Sequence, residues 1–205
     1  MSSVVISGDT SGSITLAAPA VAGSNTVTLP AVTDTLVGLT ATQTLTNKTI
    51  QGGAITSGTA QASTSGTNID FTNIPSWVKR ITVMFSGVST NGTADINVQL
   101  GTGSTPTYTT SGYLGAVSSQ SGTVVNFTSG FTVINGMAAV SIFHGNIIIC
   151  NITGNTWSES GLLGNSNSAG IRSSGGSIPL GAVLTAIRIT TTDTFDAGSI
   201  NVFYE

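Results

Sequence analysis

The aromatic residues of this 205-residue chain all lie after position 70, and this distribution limits what each part of the chain can fold into. The first aromatic residue is Phe71 and the last is Tyr204. Aromatic side chains bury about 150–250 Å² each and supply much of the stability of a small core. We therefore expect residues 66–205 to form an independent domain. Residues 1–65 are predicted to form an extended arm with short strands and a connector, which needs another surface to cover its apolar side chains.

Charged residues that favour helices are scarce, whereas residues typical of strands and turns are abundant. The sequence has 34 Thr, 27 Ser and 26 Gly against 5 Lys or Arg and 8 Asp or Glu. Thr favours pleated, half-buried strands, while Gly and Ser supply turns. A hydrophobic content of 39% argues against a disordered chain. This composition predicts an all-β protein.

Charge and apolar patterning argue against several classes of protein. Five scattered basic residues and a formal net charge of −3 do not provide the basic surface that nucleic-acid binding requires. The longest apolar runs, such as "IIIC", are a few residues long, so we expect no membrane insertion. The first ten residues show no signal-peptide pattern. The single Cys150 cannot form an intrachain disulfide.

The arm contains a weak internal repeat, in which "SITLAAPA" (13–20) resembles "TVTLPAVT" (26–33). Apolar residues alternate with Thr in both copies, which is typical of half-buried strands. Such strands need a cover, so we expect either three copies of the arm wound about one axis, in a homotrimer, or an arm lying on the C-terminal domain or on another protein. The arm residues expected at this interface are Ile14, Leu16, Val27, Leu29, Leu36, Val37, Leu39, Leu45, Lys48 and Ile50.

The C-terminal region reads as a series of short strands separated by Gly-rich turns, which favours a β-sandwich of jelly-roll type. The dipeptide Asn91-Gly92 lies between the second and third of these strands and predicts a hairpin there. The predicted strands cover residues 68–75, 79–89, 94–101, 112–118, 123–134, 139–151, 156–163, 169–173, 183–191 and 198–204.

The segment "TLVGLTATQTLTNKTI" (35–50) resembles a connector of bacteriophage tail-fibre and virion appendage proteins. Similar likenesses follow in "IPSWVKRITVMFSGVSTNG", "INVQLGTG", "SGYLG" and "IRITTTDTFDAGSINVFYE". The resemblance implies a structural protein of the virion, assembled in the bacterial cytoplasm, with an N-terminal anchor and a C-terminal β-sandwich head in a trimer. Many relatives carry a longer shaft, so the expected forms are a short fibre, a head spike or a capsid-decorating trimer.

The sequence offers little material for catalysis, and we predict no catalytic residue, no cofactor and no metal site. His144 and Cys150 lie about 20 Å apart if one strand runs straight through both, and no "GxSxG" nucleophile motif is present. Asp193 and Asp196 are more typical of a turn than of a cation site. A polysaccharide-degrading tailspike would need two of the carboxylates Asp70, Asp95, Glu159, Asp193 and Asp196, and local context singles out no pair.

Binding of a host-surface saccharide is the remaining possibility for the head, because sugars bind to aromatic faces and neutral polar groups. Tyr108, Tyr113 and Trp157 lie in polar segments and are the candidate recognition residues, with burial in the core as the alternative for Tyr113 and Trp157. The expected function is a non-enzymatic trimeric appendage anchored to capsid or tail proteins by its arm. The alternative is a cement or decoration protein of the capsid.

Overall fold

The computed structural model describes residues 3–7, 10–17, 20–21, 23–24, 31, 55–118 and 122–205. These residues form sixteen β-strands and no helix, so the predicted all-β class is confirmed for the described part of the chain. The chain divides into two compact units, Met1–Lys48 and Thr49–Glu205.

The first unit contains an antiparallel hairpin of two strands, β1 (Ser3–Ser7) and β2 (Ser13–Ala17). Val4, Val5 and Ile6 are all more than half exposed. Successive residues of a strand point to opposite faces, so the hairpin exposes apolar side chains on both sides. A two-stranded hairpin by itself is marginally stable in water. The expectation that the arm needs a cover stays a prediction.

The second unit contains the other fourteen strands, and nine of the ten strands predicted for this region are found with shifted ends. In chain order they are β3 (Thr56–Ser57), β4 (Gln61–Ala62), β5 (Asn68–Phe71), β6 (Arg80–Thr90), β7 (Ile96–Thr102), β8 (Thr107–Tyr108), β9 (Leu114–Ser118), β10 (Val124–Phe127), β11 (Phe131–Ile134), β12 (Phe143–Thr153), β13 (Thr156–Asn165), β14 (Gly170–Pro179), β15 (Leu184–Thr190) and β16 (Phe195–Tyr204).

Two antiparallel sheets are built from these strands. The larger has nine strands in the order β10-β9-β14-β13-β12-β6-β16-β3, with β4 also paired to β16. The smaller has five strands in the order β11-β7-β15-β5, with β8 also paired to β7. Both sheets contribute to one hydrophobic core, which is consistent with the predicted β-sandwich. The likeness to a jelly roll stays a prediction.

Alternation of apolar and polar residues decides which face of each strand enters the core. In β6, Ile81, Val83 and Phe85 are buried, while Thr82 and Met84 between them are partly exposed. The strand β7 belongs to the facing sheet and repeats the pattern. Its buried residues pack into the same core from the other side. Burial of one such side chain stabilises the fold by about 1.5–3 kcal/mol, so the shared core is the main stabilising element of a chain without disulfides.

The segment 55–65, which we expected to belong to the arm, is paired with the last strand of the larger sheet. Thr56 lies opposite Tyr204, and Gln61 lies opposite Ile200. Ser63 is fully buried, and its Oγ donates a hydrogen bond to the carbonyl oxygen of Ala197 at 2.8 Å. The structural division therefore lies before this segment, at residues 48/49 rather than 65/66.

The hairpin predicted at Asn91-Gly92 is wrong, because the strands before and after it belong to different sheets. β6 pairs with β12 and β16, whereas β7 pairs with β11, β15 and β8. The turn is held by the loop around Asp193, whose carboxylate accepts a hydrogen bond from the Ala94 backbone N–H at 2.6 Å. The chain does turn at Asn91-Gly92. The two strands that it joins are not paired with each other, because each buries its apolar face against the core from a different sheet.

The single strand predicted over residues 123–134 is two strands, one in each sheet. β10 pairs with β9 in the larger sheet, and β11 pairs with β7 in the smaller sheet. All four residues of β11 are buried. A turn at 128–130 separates the two strands and carries the chain across the core.

An aromatic cluster links the sheets near this crossing. Phe127 meets Phe131 edge-on at 6.1 Å between ring centroids, and Phe131 meets Tyr113 at 4.9 Å. The Tyr113 hydroxyl accepts a hydrogen bond from the backbone N–H of Leu100 at 2.8 Å. The Phe127 ring lies over Gly115, where an added Cβ would overlap the ring. Glycine in the larger sheet thus makes room for the aromatic side chain.

We predict that Gly115→Ala destabilises the fold by about 1–3 kcal/mol, because overpacking forces the Phe127 ring or the neighbouring backbone to move. Gly164→Ala is the matched control: it also lies in a strand of the larger sheet, and an added Cβ meets nothing within 4 Å. Urea unfolding of both variants measures the difference. Equal stability of the two variants would contradict the tight packing of Phe127 on Gly115.

Candidate functional site

The nine-stranded sheet has an outer face, which we define by rows of residues that lie opposite each other on neighbouring strands. Residues directly opposite in an antiparallel pair point to the same side, so each row continues from strand to strand. The central row is Val124, Ser118, Ser173, Leu162, Asn146, Met84 and Asn201. The next row is Asn126, Ala116, Gly175, Ser160, Ile148, Thr82 and Phe203.

These two rows contain no charged residue, and several of their apolar side chains are exposed. Val124 is 63% exposed and Leu162 is 57% exposed. A third row runs from Leu114 through small residues to Cys150 and ends at Arg80, which pairs with Glu205 at 2.9 Å. The outer face is thus a pleated surface of Ser, Gly, Ala, Asn and isolated apolar side chains, with charge only at one end of its third row.

Depletion of charge is typical of the centre of a protein–protein interface. Small side chains also allow a second surface to approach a sheet closely. The outer face therefore has the chemistry of a contact surface. Sequence analysis missed it, although one signal was present: the positions that alternate with the core residues of β12, β13 and β14 carry Ser, Asn, Gly, Ile and Leu in place of Lys and Glu.

Two of the three candidate recognition residues lie in the core, so their expected surface positions need correction. Tyr113 is fully buried in the aromatic cluster, where its hydroxyl bonds to Leu100. Trp157 is 4% exposed and lies on the inward face of β13. Both occur in polar local sequence, but alternation along β13 turns Trp157 inward, and Tyr113, just before β9, packs against Phe131 of the facing sheet. Burial in the core, which was the alternative interpretation, is what the structure has.

Tyr108 is the one candidate recognition residue that is partly exposed. Its ring lies beneath the guanidinium of Arg188, with 4.0 Å between the Arg188 Cζ and the ring centroid. Arg188 also holds Asp70 through two hydrogen bonds of 2.7 Å. Burial, followed by the neighbouring Asp70 carboxylate, raises the pKa of Tyr108 to about 12. Because Arg188 covers one ring face, Tyr108 offers a sugar less stacking surface than its sequence setting indicates.

The remaining groups considered for chemistry are separated or engaged in structural contacts. His144 Nδ1 accepts a hydrogen bond from the Gly87 N–H at 3.2 Å, and Cys150 lies on the same strand six residues away. Asp193 is bound to the Ala94 backbone. Among the described residues, no group of three or more His, Cys, Asp or Glu side chains is placed to hold a metal ion.

The arm residues predicted for the interface are mostly beyond what the structure describes. Ile14 and Leu16 lie in β2, where they are opposite Ile6 and Val4. The other eight predicted positions, Val27, Leu29, Leu36, Val37, Leu39, Leu45, Lys48 and Ile50, lie outside the described residues. Their contribution to an interface stays a prediction.

Glu159 is a buried acid on the inward face of β13, 3% exposed. Its Oε1 accepts a hydrogen bond from the Ser174 hydroxyl at 2.7 Å, and its Oε2 has no partner among the described residues. Burial raises the pKa of Glu159 to about 7, against the lowering effect of the Ser174 hydrogen bond. A carboxyl group with that pKa is neutral below about pH 7 in the folded protein.

No family model, no curated protein and no solved structure matches this chain. The described residues also include no helix of the length and hydropathy needed to span a bilayer.

We predict that Glu159 contributes a loss of stability as pH rises. Its pKa is about 7 when folded and 4.5 ordinarily, so the folded state binds the proton more tightly. The contribution of Glu159 to the free energy of unfolding is fully present below pH 4.5. About 3 kcal/mol of it is lost as pH rises through 7. Glu159→Gln should remove this loss and be more stable than the native chain at pH 8. Urea unfolding from pH 4 to pH 8 checks it, and parallel curves for the two proteins would contradict the assignment.

Proposed function

We propose that this chain is a non-enzymatic structural protein of a bacteriophage virion, a short trimeric fibre or appendage. The N-terminal arm anchors it to capsid or tail proteins, and the C-terminal domain is exposed for contact with the host surface. The family part of this proposal is supported by the resemblance of residues 35–50 and of the C-terminal segments to phage fibre proteins. The assembly part is supported by the surface of the folded domain.

The observation that carries the assembly proposal is the uncharged outer face of the nine-stranded sheet. Antiparallel sheets with one solvated face commonly carry polar and charged residues there. In this protein the two complete rows across seven strands hold none of the charged residues that keep sheets apart. Copies of the same chain are the partner that fits best, because a neutral face presents no repulsion to its own copy.

The exposed hairpin of the first unit supports the same proposal. Three consecutive apolar residues, Val4, Val5 and Ile6, are exposed on a strand that has one neighbour. In a virion such a hairpin gains stability by binding a neighbouring subunit or a capsid protein. Binding of this kind stabilises the folded form in proportion to its affinity.

Light scattering of the purified full chain tests the assembly proposal. We expect a mass of three times 20.5 kDa. Leu162→Lys should shift the mass towards the monomer, because it places a charge in the middle of the outer face. Surface changes of this kind alter the stability of a monomer by about 0.5 kcal/mol or less, so the domain should stay folded.

Val140→Lys is the matched control, since Val140 is 71% exposed but lies in the loop before β12 and belongs to none of the rows that define the outer face. It should leave the mass unchanged. A monomeric native chain would contradict the trimer. If both variants form an equally stable trimer, the chain is a trimer but the outer face is not part of its interface.

The copy number per virion distinguishes the appendage from the alternative, a cement protein of the capsid. The exposed hairpin also suits the alternative, because a decoration protein clamps neighbouring capsid subunits. We expect a few to a few dozen copies in quantitative mass spectrometry of purified virions. Hundreds of copies would contradict the appendage and support the cement protein, and absence from virions would contradict both.

A further inference from the structure

A polar cavity of about 410 Å³ lies at one end of the second unit, where residues from both sheets line it. The larger sheet contributes Val125 and Arg172, and the segments next to β7 and β11 of the smaller sheet contribute Asp95 and Asn135. Its volume is within the range of about 300–1,000 Å³ found for small-molecule sites. None of the residues singled out from the sequence for surface recognition lies in it.

Arg172 is the central group of this cavity and is 8% exposed. Its Nε donates to the carbonyl oxygen of Asn135 at 2.7 Å, and its Nη2 donates to that of Gly136 at 3.2 Å. The ion pairs formed by described residues are Arg80–Glu205 and Arg188–Asp70, so no carboxylate there neutralises Arg172. A guanidinium has five N–H donors, and backbone carbonyls account for three of them here.

Two hydrogen-bond acceptors, one buried and one exposed, lie in the same cavity. Asn135 is 5% exposed, and its side-chain Oδ1 is buried with no hydrogen-bond partner among the described residues. The Asp95 carboxylate is held in place by the Gly136 N–H, which donates to its Oδ1 at 3.3 Å. An unsatisfied buried acceptor costs about 1–3 kcal/mol, so a ligand that donates a hydrogen bond to the Asn135 Oδ1 relieves that cost.

The donors of Arg172 and the acceptors of Asp95 and Asn135 together favour some classes of ligand over others. A phosphate or carboxylate would satisfy Arg172 but would meet the negative charge of Asp95 and could not donate to Asn135. An amine would satisfy Asp95 but would meet the charge of Arg172. Hydroxyl groups donate and accept, and Val125 adds an apolar wall for the C–H side of a ring. A neutral, hydroxyl-rich ring fits all four residues.

We propose that this cavity binds one neutral sugar residue, with Arg172 donating to its hydroxyls and Asp95 and Asn135 accepting from them. The binding site stands on the geometry of the cavity, while its use on a host glycan rests on the proposed function. The groups that line the cavity indicate which class of saccharide the exposed domain would recognise. This class is a neutral hexose or N-acetylhexosamine rather than an acidic sugar.

Saturation-transfer NMR of the full chain tests this site. The probes are the methyl glycosides of glucose, galactose, mannose and N-acetylglucosamine, with glucuronic acid and glucosamine as charged counterparts. We expect at least one neutral glycoside to bind in the millimolar range and to bind more tightly than both charged sugars. A failure of all four neutral glycosides to bind, or tighter binding of a charged sugar, would overturn the proposal.

Asp95→Asn tests the residues, because it keeps the oxygen that accepts from Gly136 while it removes the negative charge and one acceptor. Loss of a hydrogen bond to a charged group corresponds to about a tenfold weaker affinity. Asp196→Asn is the matched control, since it removes the same charge from an exposed position on β16 outside the cavity. Thermal unfolding confirms that both variants fold, and equal sugar affinity in the two would overturn the assignment of the cavity.

The two proposals fail separately. If no neutral glycoside binds while the chain is trimeric and present on virions, only the sugar site is wrong. If a neutral glycoside binds with the expected dependence on Asp95 while the chain is absent from virions, the virion function is wrong and the sugar site stands.

Discussion

The structure of the second unit depends on contact between two apolar sheet faces, because the chain has few other means of stabilising itself. The one cysteine has no intrachain partner, and the described residues form two ion pairs, both partly exposed. Exposed ion pairs contribute about 0–1 kcal/mol each. The crossing from β10 to β11 and the Phe127–Phe131–Tyr113 cluster therefore matter, since they join the sheets through buried rings and through the hydrogen bond from Leu100 to Tyr113.

Charged residues are scarce in this chain. This scarcity leaves the core as the main source of stability, and it also determines which residues lie on the outside of the domain. Strands whose inner positions hold Ile, Val and Phe carry Ser, Gly, Asn and isolated apolar residues on their outer positions. The result is an outer surface whose two complete rows carry no charged residue. One buried acceptor without a partner, the Oδ1 of Asn135, lies instead in the cavity that Arg172 also lines. The proposed assembly surface and the proposed sugar site thus lie on different parts of one domain.

Periodicity predicted the strands well but not their partners. The alternation of Ile81, Val83 and Phe85 with polar residues predicted β6 almost to its ends. The Asn91-Gly92 dipeptide predicted the turn after it, yet the chain crosses to the other sheet there. Pairing is a long-range property: β6 lies between β12 and β16, which follow it by more than 50 residues. The polar context of Tyr113 and Trp157 was similarly misleading, because the facing sheet decides burial.

The sequence by itself determined the all-β class of the described residues and the position of most strands of the second unit, and it showed that the N-terminal region has no aromatic residue from which to build a core. These follow from short-range properties: strand propensity, alternation and the apolar area available to each segment. The tertiary structure alone decided which strands pair, which side chains face outward together and which polar groups meet in one cavity. Arg172, Asp95 and Asn135 are separated by up to 77 positions, from 95 to 172, and only the packing of two sheets brings their hydrogen-bonding groups to one site.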